Sequence, residues 1–194
     1  MTAQAHDSLL LDGTSYDIVA IENPWPFHPS MHGLMPEPFS SSCCRGYTAE
    51  YVVHGDCLVL DVLAISVAVS KPPTFSGIRP RHGRQSADHR QWEYRNIGLP
   101  VRYSGGLVIG SGFLPKHYVH MGFQSPHCFR TVKEVRFSDG LTRDQQDLSE
   151  RVEQVRQRLL TPTRFSATLV TEPVDFHESV RKAFSLAYED KWPS

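Results

Sequence analysis

The stretch that decides the fold is Arg45-Gly46-Tyr47-Thr48-Ala49-Glu50-Tyr51-Val52-Val53-His54-Gly55-Asp56-Cys57-Leu58-Val59-Leu60-Asp61-Val62-Leu63-Ala64. Gly55-Asp56 is a residue pair favoured in tight hairpin turns. A turn there sets Val53 opposite Leu58, Tyr51 opposite Leu60, Ala49 opposite Val62 and Tyr47 opposite Ala64. All of these side chains then share one face, as a period of two requires. The other face sets Glu50 opposite Asp61, a like-charge pair that destabilises a sheet but is the raw material of a general acid. A longer turn would dissolve that pair, and solvent would make it inert.

Working outward, Leu9 to Asp12 reads as a strand ending in the turn signal Asp12-Gly13, and Tyr16 to Glu22 as its continuation. Asn23 to Ser42 reads as loop, because Pro24, Pro26, Pro29, Pro36 and Pro38 each remove a backbone donor. Its Trp25, Phe27, Met31, Leu34, Met35 and Phe39 suggest that it lies on the body of the protein. Residues 71–95 show no periodicity and read as a loop insertion opened by Pro72-Pro73. Pro100 to Tyr103 and Leu107 to Ile109 flank a turn at Ser104-Gly105-Gly106, and Gly110-Ser111-Gly112 reads as a break. His117 to Met121 reads as a strand, as does Phe129 to Phe137, followed by a turn at Ser138-Asp139-Gly140.

The period then changes. Leu141, Leu148, Val152, Val155 and Leu159 recur at helical spacing, and Thr142 with Gln145 suits a capping box, so a helix is expected at about 143–160. Phe165 to Val170 suggests one more strand. A second helix is expected at about 175–189, capped by Asp175 and facing inward with Phe176, Val180, Phe184 and Ala187. Strands first and helices last predict an α+β fold: antiparallel, hairpin-built sheet followed by two C-terminal helices. The chain reads as a single domain over 1–194, with a β-rich body at 8–141 and a helical part at 142–194.

The 194 residues carry a net charge of −1, so no global attraction draws the chain to nucleic acid. The local exception is Arg79, Arg81, Arg84, Arg90 and Arg95, which read as a solvated loop. Met1 to Ser8 lacks a basic region followed by an apolar run, and no apolar stretch reaches the ~18 residues of a membrane span, so a cytoplasmic protein is expected. Cys43, Cys44, Cys57 and Cys128 form no zinc-ribbon spacing and read as reduced, mostly buried thiols.

Four stretches resemble a widespread family of uncharacterised bacterial proteins: Leu9-Leu10-Leu11-Asp12-Gly13, Arg45-Gly46-Tyr47-x-Ala49-x-Tyr51, Leu58-x-Leu60, and Ser104-Gly105-x-Leu107-x-Ile109 with Tyr118-Val119-His120-Met121-Gly122-Phe123-x-Ser125. Many members are similar in carrying Trp at the position of Tyr51. The resemblance spans about 8–141 and implies short single-domain proteins without an assigned activity. Some resemble small accessory proteins that neutralise toxins.

No Walker pattern, nucleophile elbow or His-Glu-x-x-His motif occurs, so no cofactor and no metal is expected. His120, beside Gly122, and Arg45, at a strand entrance, are the leading candidates for ligand contact, with Tyr47 and Tyr118 beside them. Arg45 could grip a carboxylate bidentately or pair with Glu50 or another acid. The first expectation is a protein-binding module whose partner is a protein, a toxin being the candidate. Asp144, Asp147, Glu150 and Glu153 would suit a basic partner. The alternative is a small-ligand sensor or enzyme built on Arg45, His120, Glu50 and Asp61.

Overall fold

The protein is seen here as a computed structural model that describes residues 2–22, 25–38, 40–70, 72–83, 91–160 and 176–191. Among them are nine strands: β1 (Ser8–Leu11), β2 (Thr14–Ile21), β3 (Tyr47–His54), β4 (Cys57–Ser66), β5 (Arg81–His82), β6 (Gln91–Pro100), β7 (Gly105–Phe113), β8 (Phe129–Ser138) and β9 (Leu141–Asp147). Three helices follow: α1 (Ser149–Leu160), α2 (Phe176–Ala183) and α3 (Tyr188–Lys191). The fold is α+β. The expected strand at Phe165–Val170 and the Asp175 cap lie outside the described residues.

The sheet order is β3-β1-β2-β7-β8-β9-β4-β6-β5, and β3 also pairs with β4. The strands from β3 round to β4 therefore close a ring, sealed by the Cys57↔Leu141 contact of β4 with β9. The sheet is mixed, not purely antiparallel: β1 runs parallel to β3. Hairpins alone cannot make that pairing, since parallel neighbours need a long crossover, here residues 12–46.

The β3–β4 hairpin keeps its expected register near the turn, with Val53↔Leu58 and Tyr51↔Leu60. Beyond that Asp61 forms a bulge, and the pairs become Glu50↔Val62, Ala49↔Leu63 and Tyr47↔Ile65. The extra residue moves the inward positions of β4 from Leu58 and Leu60 to Leu63 and Ile65, all nearly inaccessible. It also keeps Glu50 from facing Asp61, so the expected carboxylate pair does not form.

Several other expectations are corrected. β7 runs through Gly110-Ser111-Gly112, because the Phe129 ring packs against Gly110 in place of a side chain. The expected strand at His117 to Met121 is instead a 3-10 turn at Pro115–His117 followed by loop. Residues 91–95 belong to β6, not to the insertion. The predicted helix at 143–160 starts only at Ser149, because the positive-φ turn Asp139-Gly140 returns the chain directly along β8 as β9. Asp147, not Thr142, caps α1, its Oδ1 accepting the Ser149 N–H at 2.8 Å. Val155 is exposed, and the inward stripe is Leu148, Val152 and Arg156.

The second C-terminal helix is split into α2 and α3, because the Ile21 N–H takes the Leu186 carbonyl at 2.7 Å and draws the chain out of its helical path. The apolar loop does cover the core with Phe27 and Leu34, while Met31 and Met35 face solvent. The main core fills the ring. A second cluster of Val19, Val108, Cys128, Phe129, Val132, Leu148 and Val152 seats α1 on the outer side of β2, β7 and β8.

Candidate functional site

Parallel pairing of β1 with β3 brings the residues just before each strand to the same end of the sheet. Those residues are Asp7 and Arg45. The Arg45 guanidinium donates to both carboxylate oxygens of Asp7 at 3.1 and 2.8 Å, and Asp7 also accepts the Ala49 N–H at 2.7 Å. The faces of Trp25 and Tyr47 lie 4.6 and 4.7 Å from the guanidinium carbon, and Phe123 at 5.7 Å. Burial works against the Arg45 charge, yet the Asp7 carboxylate more than offsets it and the pKa is raised. Burial first, and Asp7 second, push the Tyr47 hydroxyl up to about 12. Gly46 has a φ of 75°, and the Glu37 backbone lies where a side chain would be. The Arg-Gly-Tyr stretch therefore holds an internal ion pair.

The loop from Tyr118 to Ser125 divides its residues between two tasks. Gly122, Phe123 and Gln124 are buried and join both ends of the chain to the sheet. The Gly122 carbonyl accepts the Gln4 N–H at 2.8 Å, and the Phe123 N–H donates to the Ala183 carbonyl at 2.9 Å. Ala183 sits against Gly122 so closely that no side chain fits there. Lys191 reaches the Phe123 and Ala183 carbonyls at 3.0 and 3.2 Å. The Gln124 amide clasps Val119 through both backbone groups at 2.9 and 2.7 Å.

His6 completes this junction. Its Nε2 accepts the Gln124 N–H at 3.1 Å, which leaves Nδ1 as the donor to the Ile18 carbonyl at 2.8 Å. Desolvation pushes its pKa down to about 4, so the ring is neutral at pH 7.

Tyr118 and His120 point outward. Their rings lie 5.0 Å apart, and Tyr118 meets Phe113 edge-on at 6.3 Å. Phe113 in turn packs on Phe129 at 5.7 Å. Phe113 is 42 % exposed, Tyr118 40 % and Phe129 only 1 %, so a surface aromatic ladder is rooted in the core. Lys116 is exposed in the same loop.

Glu50 lies elsewhere, on the outer face of the sheet. It lines a cleft of about 550 Å³ with Thr48, Ser42, Gln91, Glu93 and Arg95. Arg95 bonds Glu93 at 2.6 Å and is further held in its charged form by Glu50 and Asp61. Arg45, Tyr47, Tyr118 and His120 do not line that cleft. Cys43 and Cys128 are buried, whereas Cys44 and Cys57 are exposed, and all four are free thiols. Among the described residues no three His, Cys, Asp or Glu side chains group as metal ligands, and no helix is long and apolar enough to cross a membrane.

Sequence reasoning passed over Asp7, His6, Gln124 and Phe113. The chain separation between Asp7 and Arg45 hides their pairing. Phe113 alternates poorly because its strand is glycine-rich.

Compared with known proteins, the chain matches no family model, no curated protein and no solved structure.

Proposed function

We propose that this chain is a soluble protein-binding module of the immunity or antitoxin type, and that it meets its partner through Phe113, Tyr118 and His120. The observation that carries the reading is the aromatic ladder. Large rings half open to solvent but anchored on a buried Phe129 are stiff, lose little entropy on binding and are the side chains that dominate interface energetics. Tyr118 and His120 each keep an edge for hydrogen bonding. Lys116 places a positive charge at the rim, where complementary charge sets approach and register more than affinity. The resemblance of the Tyr-Val-His-Met-Gly-Phe-x-Ser stretch to small bacterial accessory proteins supports the same reading. Arg45 supplies structural integrity to this module, because its guanidinium is committed to Asp7.

The test is capture of the tagged protein from its host alongside the Phe113→Ser/Tyr118→Ser variant, with circular dichroism confirming equal folding. One stoichiometric protein partner that the wild type retains and the variant loses supports the assignment. Retention of the same partner by both proteins excludes this face.

A further inference from the structure

Arg79, Arg81 and Arg95 belong to the basic run that reads as a solvated loop, yet the fold gathers them around a cleft. β5 pairs with β6 through Arg81↔Glu93 and His82↔Trp92, which brings Arg81 beside the strand that carries Arg95. A cleft of about 520 Å³ is lined by Arg79, Arg81, Glu93, Arg95, Asn96 and the Gly77-Ile78 turn. That volume falls within the range of small-ligand sites.

The cleft has a fixed wall. Ser76 and Gly77 form a tight turn with φ of 49° and 78°, closed by reciprocal Phe75–Ile78 backbone bonds of 3.0 and 2.8 Å. Phe75 anchors it, 6 % exposed and packed against Phe27 and Tyr94. The Tyr94 hydroxyl adds a bond to the Pro73 carbonyl at 2.8 Å. Glu93, also in the lining and 17 % exposed, holds the Arg95 guanidinium at 2.6 Å. Among the described residues neither Arg79 nor Arg81 has an ion-pair partner, and the lining carries three arginines against one carboxylate, Glu93. Like charges gathered at one concave place repel one another, and an anion between them removes that cost.

We propose that this cleft binds a phosphoryl group carried by a small molecule, with Arg79 and Arg81 as its direct ligands and Arg95 positioned by Glu93 as the third. Guanidinium forks match phosphate oxygens in pairs, which a single ammonium cannot do. A small molecule fits better than a nucleic acid. The chain's net charge is −1, and Glu50 and Asp61 lie close enough to Arg95 to act on its charge, so a long phosphate backbone would meet carboxylates beyond the cleft.

Calorimetric titration of the full chain tests this, with inorganic pyrophosphate, a nucleoside triphosphate and a single-stranded oligonucleotide as separate probes. Saturable one-to-one binding of pyrophosphate is expected, weakened at least tenfold in Arg79→Gln/Arg81→Gln and unchanged in Arg102→Gln, an exposed arginine outside the cleft that pairs with Asp139. Tighter binding of the triphosphate than of pyrophosphate would place the source in a nucleotide. Both arginines are exposed, so the variant tests the site and not the fold. Absence of saturable pyrophosphate binding, equal binding by the arginine variant, or preference for the oligonucleotide over both small probes would each overturn the proposal.

Discussion

Replacing Arg45 with Met isolates what the buried ion pair contributes. The Met side chain keeps most of the apolar stem packed among Trp25, Tyr47 and Phe123, but leaves the Asp7 carboxylate, 1 % exposed, with only the Ala49 N–H. Removing one partner of a buried pair typically costs about 3–5 kcal/mol, because an uncompensated charge stays behind. Loss of the cation–π contacts adds about 0.5–2 kcal/mol. Against a domain stability of about 5–15 kcal/mol, Arg45→Met should unfold at much lower denaturant or fail to accumulate. The assay is urea denaturation followed by tryptophan fluorescence on wild type, Arg45→Met, Asp7→Asn and the double variant. The double variant should be less destabilised than the two singles summed, with a coupling of about 2–3 kcal/mol. A loss below about 1 kcal/mol in Arg45→Met, or strict additivity, would refute a structural role for this pair.

Gly122→Ala should detach α2 and α3, since its φ of 78° and the adjacent Ala183 carbonyl both resist a side chain; the backbone conformation alone costs about 1–3 kcal/mol. Limited proteolysis should then cleave near Ala183 in the variant while the wild type resists. His6 predicts acid sensitivity. Its folded pKa of about 4 lies below the unfolded 6.5, so its stabilising contribution is full above pH 6.5 and is lost as pH falls toward 4. The loss amounts to about 3 kcal/mol, read by comparing urea midpoints across that window for wild type and His6→Gln; equal pH profiles would contradict it. Glu50→Gln should leave stability within about 0.5 kcal/mol, because Glu50 is exposed and faces Val62 and not Asp61. A larger gain or loss would mean that its carboxylate interacts more strongly than its position suggests.

Period-two alternation made β1 and the turn end of the β3–β4 hairpin legible, because those stretches bury one face only. β2 and β8, covered on both faces, were legible from their apolar content and the Asp12-Gly13 and Asp139-Gly140 turns beside them. The bulge at Asp61 was not, since an inserted residue between Leu60 and Val62 leaves the local pattern intact and shows only in the partner's register. Leu141 to Asp147 misled because its helix-compatible polar residues form an exposed strand that meets β4 only at Leu141, where the neighbouring β8 and the Asp139-Gly140 turn decide the conformation. The parallel β1–β3 contact depends on chain closure, which no local window contains.

Site residues divide along the same line. Tyr118 and His120 stood out beside Gly122 in one short stretch, while Phe113 and Phe129, which root them, sit on different strands. Arg45 was visible as a lone cation at a strand entrance. Its partner was not, because many acids in the chain could have served and only the fold selects Asp7.

Photo-crosslinking in the host tests the central claim most directly, with benzoylphenylalanine placed at Tyr118 in one protein and at Glu50 in another. The aromatic ladder predicts one discrete protein crosslink from position 118 and none from position 50. A partner captured only from position 50, or none from position 118 while the protein is folded and expressed, would contradict it.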